Sequence, residues 1–290
     1  MYAIMGVTGQ VGGVAANALL EAGQPVRAIV RNADRGAVWR VRGCDVAIVP
    51  DAGDAQALAA ALEGVRGAFL MNPPNYDPEP GFPDTRQVAG AFAEALTRAR
   101  PAAAVFLSTV GAHVERFNLL NNGGLVESAL RETGLPVALL RPAWFLENVA
   151  WDVASALAGA IESYLQPPEH AIDMVSVRDI GATVAELLQQ KWTGTRTIEL
   201  AGPAKVSPDD IAAALSQELE RPVAVRTVPR ANWEPRFRSE GMRHPEARIA
   251  MLDGFNEGWL DFSRQGVEQR TGTRPLWAVV RDLVATAKVG

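Results

Sequence analysis

A glycine at every third position near the start of the chain constrains the fold more than any other feature. The stretch MYAIMGVTGQVGG places Gly6, Gly9 and Gly12 between a strand-like run and a helix-like one. Glycine loses more conformational freedom on folding than any other residue, so this repetition indicates a tight turn between two regular elements. The free N–H groups and the dipole of a helix that starts there favour a bound anion. The turn therefore predicts a site for a negatively charged group.

The residues behind the glycines have the periodicity of an amphipathic helix. Apolar side chains recur at i, i+3, i+4, i+7 and i+8, which places them on one face. Gly23 then stands where a helix commonly ends in a left-handed residue. The predicted apolar face consists of Val11, Val14, Ala15, Ala18 and Leu19.

Short apolar runs alternate with helix-type segments through the first half of the chain. Each run is continuous in Val, Ile, Leu or Phe, as in strands that are buried on both faces of a parallel sheet. The alternation predicts an α/β protein with a doubly wound parallel sheet, a Rossmann fold. The predicted strands are 2–6, 25–30, 45–49, 67–71, 103–108 and 136–140, and further helices are predicted near 34–42, 55–62, 84–99, 117–133 and 144–160.

The regular alternation of strand-like and helix-like segments ends after about residue 142. We expect a Rossmann lobe over 1–142, its sheet completed by strands from the second half, and a smaller substrate or capping α/β lobe over 143–290. In the second lobe Ser207, with Asp210 three residues later, is typical of the start of a helix. The proline-dense stretch 72–83 is too long for a turn, so we interpret it as a lid loop.

Composition excludes several classes of function. The 290 residues carry a formal charge of −5 without blocks of like charge, so we expect neither a nucleic-acid partner nor an anionic membrane surface. The single cysteine, Cys44, excludes an internal disulfide and is better explained as a small buried side chain than as a catalytic thiol. We expect a cytoplasmic protein, because no signal peptide and no membrane-length apolar run is apparent. We also expect a monomer or a homodimer.

The residue that ends the second strand-like run distinguishes between the two nicotinamide dinucleotides. An acidic residue about 20 positions after the glycines would bind an unphosphorylated ribose, whereas an arginine suits a 2′-phosphate. The run ends in AIVRN and places Arg31 there, so the sequence predicts NADP(H). Asp51, just past the third predicted strand, falls where the edge of the adenine would lie. The alternatives are that Arg31 is a solvated surface charge and that Asp51 is an ordinary loop carboxylate. The predicted cofactor residues are Gly6, Thr8, Gly9, Gln10, Val11, Gly12, Arg31, Asp51, Asn72, Pro73, Ser108 and Pro142.

Candidate substrate residues follow the ends of the predicted strands, where sheets of this type bind ligands. Thr109 could donate a hydrogen bond, although Ser108 and Thr109 could equally cap the end of a strand. Trp144 and Phe145 could stack on an aromatic acceptor, with plain core packing as the alternative. Tyr76 on the lid loop is a further candidate. The three histidines, at 113, 170 and 244, lack partners at ligand spacing, so no metal is predicted.

Several motifs together resemble a known family. GVTGQVGG, VRAIVRN, LSTVGA, LVESALRETGLPVALLRPAWFLEN and VSVRDIG occur in the order found in the NmrA-like, atypical branch of the short-chain dehydrogenase/reductase superfamily. Within that branch, NPPNYDPEPGFP, RPAWFLENVAWDV and MLDGFNEGWLDF resemble the bacterial NAD(P)H azoreductase type. The resemblance implies a Rossmann lobe, NADP(H) binding and the reduction of small azo or quinone-like aromatic molecules.

The superfamily's usual acid–base pair is missing from this sequence. That pair is Tyr-x-x-x-Lys, in which the tyrosine protonates the substrate oxygen and the lysine lowers the pKa of the tyrosine. Its positions fall on Leu119 and Gly123, and an offset of one residue gives Asn118 and Asn122. No catalytic residue is therefore predicted. The two leading hypotheses are an NADPH-dependent reductase and a non-catalytic NADP(H)-binding redox sensor, and an isomerase or epimerase ranks behind both.

Overall fold

The computed structural model describes residues 1–287, and its first half alternates strands and helices almost without interruption. The elements are β1 (Tyr2–Met5), α1 (Gln10–Glu21), β2 (Val26–Val30), α2 (Ala33–Val41), β3 (Asp45–Ile48), α3 (Ala55–Leu62), β4 (Gly67–Met71), α4 (Pro83–Ala99), β5 (Ala103–Leu107), α5 (Asn121–Glu132) and β6 (Val137–Pro142).

The second half has shorter and more varied elements. They are β7 (Trp144–Phe145), a 3-10 helix (Leu146–Trp151), α6 (Val153–Leu157), β8 (Ala160–Ser163), β9 (Ile172–Val175), α7 (Val177–Gln189), β10 (Thr195–Ala201), β11 (Lys205–Val206), α8 (Pro208–Leu219), β12 (Ala224–Thr227), a 3-10 helix (Arg230–Asn232), α9 (Trp233–Ser239), α10 (Glu246–Glu257), β13 (Glu268–Thr271) and α11 (Leu276–Ala287).

Eight parallel strands form the central sheet in the order β13-β10-β6-β5-β4-β1-β2-β3. The chain runs outward from β1 to β3 and then returns to the other side of β1 with β4. Strand order therefore reverses between β1 and β4, which is where doubly wound sheets open a crevice at their carboxyl ends. This arrangement confirms the predicted Rossmann fold, and β10 and β13 join its sheet from the second half of the chain.

Helices cover both faces of the sheet, and one apolar core lies on each side. One core takes Val11, Ala15 and Leu19 of α1 and the facing residues of α7, and the other contains residues of α3, α4 and α5. The strands need apolar side chains on both faces as a result, which is why their sequences read as continuous apolar runs. Cys44 lies buried in the first core.

The predicted strands of the first half are confirmed to within two residues at each end. Two local signals are confirmed as well. Gly23 has φ of +70° just beyond α1, and its N–H bonds to the carbonyl of Leu20. At the start of α8, Ser207 and Asp210 form a reciprocal capping box.

The single helix predicted near 144–160 is wrong. Trp144 and Phe145 are extended and pair with Met174 and Val175 of β9, and a 3-10 helix and the five-residue α6 follow. A pairing with a strand about thirty residues away overrides the local periodicity, because only the folded chain brings the two together. The helix predicted at 117–133 begins later, at Asn121, since the side chains of Asn118 and Asn121 bond to backbone groups of the preceding turn.

No helix within residues 1–287 is both long and apolar enough to cross a membrane. The predicted lobe boundary at residue 142 stays a prediction, because elements on both sides of it contribute to the central sheet.

The close approach of α1 to β1 depends on Gly12. A Cβ at this position would lie 2.4 Å from the carbonyl oxygen of Gly6 and 2.6 Å from that of Met5. Both neighbours are backbone atoms, which cannot move aside as the end of a side chain can. Gly12 therefore fixes the distance between the first strand and the start of the first helix.

We expect Gly12→Ala to lower the free energy of unfolding by about 1–3 kcal/mol, because the added methyl overpacks against backbone. The matched control is Gly90→Ala in α4, where a Cβ would have no neighbour within 4 Å. That change should stabilise the protein by about 0.5–1 kcal/mol, since alanine restricts the unfolded chain. Urea unfolding of both variants measures the difference, and equal shifts would contradict the role given to Gly12.

Candidate functional site

The glycine turn is shaped so that each glycine has a different steric requirement. Gly6 has φ of +67°, and a Cβ there would lie 2.4 Å from the sulfur of Met71. The N–H of Gly9 donates to the carbonyl of Gly6 at 2.8 Å and closes the turn, and Gly9 itself precedes the first residue of α1. The backbone can bend this sharply because side chains are absent on its inner side.

The first turn of α1 presents unpaired donors to the carboxyl edge of the sheet. Within residues 1–287 the N–H groups of Gln10, Val11 and Gly12 have no hydrogen-bond acceptor, and Gly9 cannot cap them with a side chain. No acidic residue stands in this first turn either. Free donors and the positive end of the helix dipole together favour an anion such as a phosphate.

Arg31 lies at the end of the next strand, immediately after β2. Its side chain is exposed, and it forms no ion pair within the described part of the chain. The adjacent Asn32 accepts from the N–H of Arg35 and starts α2. Asp51, beyond β3, accepts from the N–H of Gly53 at 2.8 Å. The structure therefore places Arg31 beyond the end of β2, the neighbour of β1, and Asp51 beyond the end of β3, the next strand out, with the guanidinium free for a ligand.

The lid loop follows β4, and hydrogen bonds attach it to a segment that lies more than 160 residues later in the chain. Asn72 is half-buried, Pro73 is exposed and Tyr76 is 53% exposed. The carboxylate of Asp77 accepts N–H groups from Arg243 at 2.9 Å and His244 at 2.6 Å. The hydrogen bond from Arg243 is the main reason that the pKa of Asp77 lies below its ordinary value. The sequence shows the loop by its prolines, but it gives no sign of this attachment.

Ser108, the first residue after β5, is buried and its hydroxyl is already engaged. It donates to Oε1 of Glu127 at 2.6 Å, and Glu127 is held by Arg141 through two further hydrogen bonds. Thr109 is half-buried and adjoins Gly123, where a Cβ would lie 2.8 Å from the Thr109 methyl. Sequence reasoning missed Glu127 and Arg141, because charged residues on a helix and inside a strand are ordinarily interpreted as exposed.

Position 119 is occupied by a core side chain. Leu119 is 3% exposed, and its N–H donates to the carbonyl of Ala247. Asn118 is fully buried, and its side chain bonds to backbone groups at Arg116 and Leu120. Asn118, Leu119 and Gly123 therefore carry no group that could act as a tuned acid.

An aromatic pair, Trp144 and Phe145, follows directly after the carboxyl end of β6. Trp144 and Phe145 are both half-buried, and Trp144 meets the ring of Phe255 edge-on at 5.2 Å. Pro142 ends β6, and its carbonyl accepts the N–H of Val110 at 2.9 Å. Phe255 lies on α10. The structure thus supplies a partly exposed aromatic surface.

Glu147 follows the aromatic pair and was missed by sequence reasoning. Its carboxylate accepts from the Ser176 hydroxyl at 2.7 Å and from the Val177 N–H at 2.8 Å, which completes the cap of α7. Burial raises its pKa above the ordinary value. Glu147 also borders a depression of about 260 Å³ that reaches Gln10 at the glycine turn and Arg274 on the opposite wall. A larger depression, about 360 Å³, lies elsewhere, between β3 and α3.

Within residues 1–287 no cluster of three or more His, Cys, Asp or Glu side chains could hold a metal ion. His170 bonds to the carbonyl of Phe255 through Nε2. Burial, reinforced by the charge of Arg141, lowers the pKa of His113.

A carboxyl group without an ion pair in the described residues lies just beyond this site, at Asp152. Burial raises its pKa from 3.8 to about 6. The folded protein therefore holds this proton more tightly than the unfolded chain does. The protein keeps the full stability that comes from a neutral Asp152 at pH below 3.8, and it loses this stability as the pH rises through about 6.

We expect Asp152→Asn to stabilise the protein at pH 8 by about 1–3 kcal/mol relative to its effect at pH 4, because asparagine carries no charge to desolvate. Urea unfolding at both pH values measures this difference. Exposed Glu132→Gln on α5 is the control and should show no such change with pH. A pH-independent effect of Asp152→Asn would contradict the assignment.

Comparison with known proteins identifies relatives along nearly the whole chain. An NAD(P)H azoreductase from Xenophilus azovorans is 27% identical over 258 residues, which cover 89% of this chain and 85% of the relative. A (4-alkanoyl-5-oxo-2,5-dihydrofuran-3-yl)methyl phosphate reductase from Streptomyces griseus is 31% identical over 249 residues, or 81% of this chain and 82% of the relative.

Solved structures share the fold at lower identity. The NADPH-dependent quinone oxidoreductase from Escherichia coli, solved in complex with NADPH, is 24% identical and superposes with a TM-score of 0.79 over 98% of this chain and 99% of that one. The sequence pattern of the NmrA-like family matches residues 2–247. With a match over most of its length and the glycine turn, parallel sheet and strand order already described, the chain belongs to the NmrA-like family.

Proposed function

We propose that this protein is an NADPH-dependent oxidoreductase that passes a hydride to an electron-poor acceptor of the azo or quinone-like class, without a Tyr–Lys pair. One observation carries the proposal. The open N-terminus of α1 behind the glycine turn lies on the same edge of the sheet as the unpaired Arg31. An anion site and a free guanidinium at the ends of neighbouring strands suit a dinucleotide that carries a 2′-phosphate.

The residues present fit this cofactor. Gly12 lets α1 start against the backbone of Gly6, and the N–H groups of Gln10, Val11 and Gly12, which have no acceptor within the described residues, would bind the pyrophosphate. Arg31 forms charge-assisted hydrogen bonds with the 2′-phosphate. Asp51 lies toward the adenine, and Asn72 with Pro73 lines the crevice where strand order reverses.

Bound NADPH supplies the hydride, and the protein's task is to position the acceptor and exclude water. Trp144 and Phe145 stack on the flat acceptor, with Tyr76 of the lid loop on its outer side. Thr109, whose methyl packs toward Gly123, offers its hydroxyl as a hydrogen-bond donor. In this arrangement 1–142 is the cofactor lobe and 143–290 is the smaller lobe that closes over the substrate.

No protein acid is required for acceptors of this class. A quinone or azo group that takes a hydride becomes a stabilised anion, which collects its proton from water. Leu119 and Gly123 are consistent with such acceptors and argue against simple ketones, which need a proton as the hydride arrives. The azoreductase and the furanone phosphate reductase that the chain is similar to are named for conjugated acceptors, and this supports the same substrate class.

A second candidate function is an NADP(H)-binding redox sensor that performs no chemistry. The buried Leu119 and the packing of Gly123 against Thr109 favour it, because the chain keeps the cofactor site while the usual acid–base positions hold apolar groups. In that case the state of the cofactor would alter the surface of the lid loop or the second lobe, where a partner binds.

An acceptor panel separates the two functions. Purified protein with NADPH is mixed in turn with an azo dye, a quinone, a conjugated butenolide and a simple aldehyde, and nicotinamide absorbance is followed. We expect turnover with one or more of the first three and none with the aldehyde. Tight NADPH binding with no turnover on any acceptor would overturn the reductase and favour the sensor.

We expect Arg31→Ala to weaken NADPH binding by about 1.5–3 kcal/mol, because a charged hydrogen bond to the 2′-phosphate is lost. NADH binding should change little, since NADH lacks that phosphate. Arg40→Ala, an exposed arginine later in α2, is the matched control and should affect neither dinucleotide. Calorimetric titration measures all affinities, and an equal loss for NADPH and NADH would exclude Arg31 from the phosphate site.

A further inference from the structure

Three charged side chains are buried together between the central sheet and α5. Glu127 is 3% exposed, Arg141 is 5% exposed and Glu199 is 1% exposed. Two carboxylates and one guanidinium leave one negative charge in excess. An ordinary buried ion pair is neutral and can often be replaced by apolar residues without loss of stability. Packing alone therefore does not explain why the protein buries the second carboxylate.

Each carboxylate of the cluster accepts several hydrogen bonds. Arg141 donates to Oε1 of Glu127 at 2.7 Å and to Oε2 at 2.6 Å, and its third nitrogen lies 3.8 Å from Glu199. Glu199 accepts from the N–H and hydroxyl of Ser263 at 2.8 and 2.9 Å, and from the side chain of Gln269 at 2.7 Å. Burial alone would raise the pKa of Glu199, but these donors and the N–H of Arg264 outweigh it and lower the pKa.

Other charges nearby do not cancel the excess. Arg131 approaches Oε2 of Glu127 at 3.4 Å, but its side chain is 44% exposed and water screens its charge. Burial and the charge of Arg141 lower the pKa of His113, which favours the neutral imidazole near neutral pH. The cluster Glu127–Arg141–Glu199 therefore acts as a buried negative charge.

The cluster lies close to the carboxyl edge of the sheet. Arg141 is the next-to-last residue of β6, and Glu199 is its direct partner on β10. Ser108, the first residue after β5, ties Glu127 to the same edge. These strands lie on the side of the β1–β4 switch point away from Arg31. A dinucleotide whose 2′-phosphate binds Arg31 extends its nicotinamide toward this side.

We propose that the buried negative charge of this cluster stabilises the oxidised nicotinamide relative to the reduced one and so makes bound NADPH a stronger hydride donor. The inference rests on the proposed function. When hydride leaves, the C4–H bond breaks with both electrons, the acceptor gains them with the hydrogen, and the ring becomes a cation. The acceptor then takes a proton from water. A fixed negative charge in a low-dielectric interior favours that cation over distances of about 10 Å.

The ratio of two dissociation constants reports this effect without any turnover. Stabilising the bound cation tightens NADP⁺ relative to NADPH, and by linkage the logarithm of this ratio is proportional to the shift in the cofactor's potential on binding. A role in folding or in general cofactor binding would change both constants together. The ratio therefore separates an electrostatic role from a structural one.

Two variants neutralise the excess charge by different routes. Glu199→Gln removes the buried carboxylate on β10, and Glu127→Gln removes the buried carboxylate on α5, while each glutamine still offers a hydrogen-bond acceptor. We expect each to raise the ratio of the NADP⁺ constant to the NADPH constant by about 3- to 10-fold. Asp45→Asn is the matched control, because Asp45 pairs with Arg27 at 2.6 Å at the opposite, amino edge of the sheet. Its ratio should stay at the wild-type value.

The outcomes are distinct. A raised ratio in the variants that fold, with an unchanged control, supports the cluster's role. An unchanged ratio in either variant that folds and binds both cofactor forms overturns it and leaves the proposed reductase standing. Failure of the wild-type protein to bind either form would overturn both proposals.

Discussion

The contact between Gly12 and the carbonyl of Gly6 sets the geometry on which the rest of the site depends. Because no side chain separates them, α1 starts directly behind β1 and its free N–H groups face the carboxyl edge of the sheet. The reversal of strand order beside β1 then opens a crevice at that point. Arg31 lies on one side of the crevice, and the Glu127–Arg141–Glu199 cluster lies on the other.

Much of the fold is predictable because the chain repeats one local rule. Strands buried on both faces read as continuous apolar runs, and helices between them follow their own period, so the strands of the first half are confirmed almost to the residue. The rule fails at 144–160, where β7 exists only because β9 lies beside it. No periodicity within a segment can report a partner that arrives later in the chain.

The residues of the candidate site likewise fall into those that the local sequence reveals and those that only the folded chain brings together. The glycine turn and Arg31 are visible in the sequence because their chemistry is local: backbone donors at a helix start and a charge at a strand end. The buried charges are not visible, since Glu127 and Glu199 are 72 residues apart and meet only through Arg141. The sequence does record what is missing at Leu119 and Gly123, and the structure adds that both positions are closed by packing.

The proposed function requires that the start of α1 holds the cofactor's pyrophosphate. A crystal structure of the protein grown with NADPH tests this most directly. We predict pyrophosphate oxygens at about 2.7–3.2 Å from the N–H nitrogens in the Gln10–Gly12 turn, with the 2′-phosphate against Arg31 and the nicotinamide toward β5 and β6. A dinucleotide bound elsewhere, or a first turn of α1 that contacts only water at saturating NADPH, would contradict it.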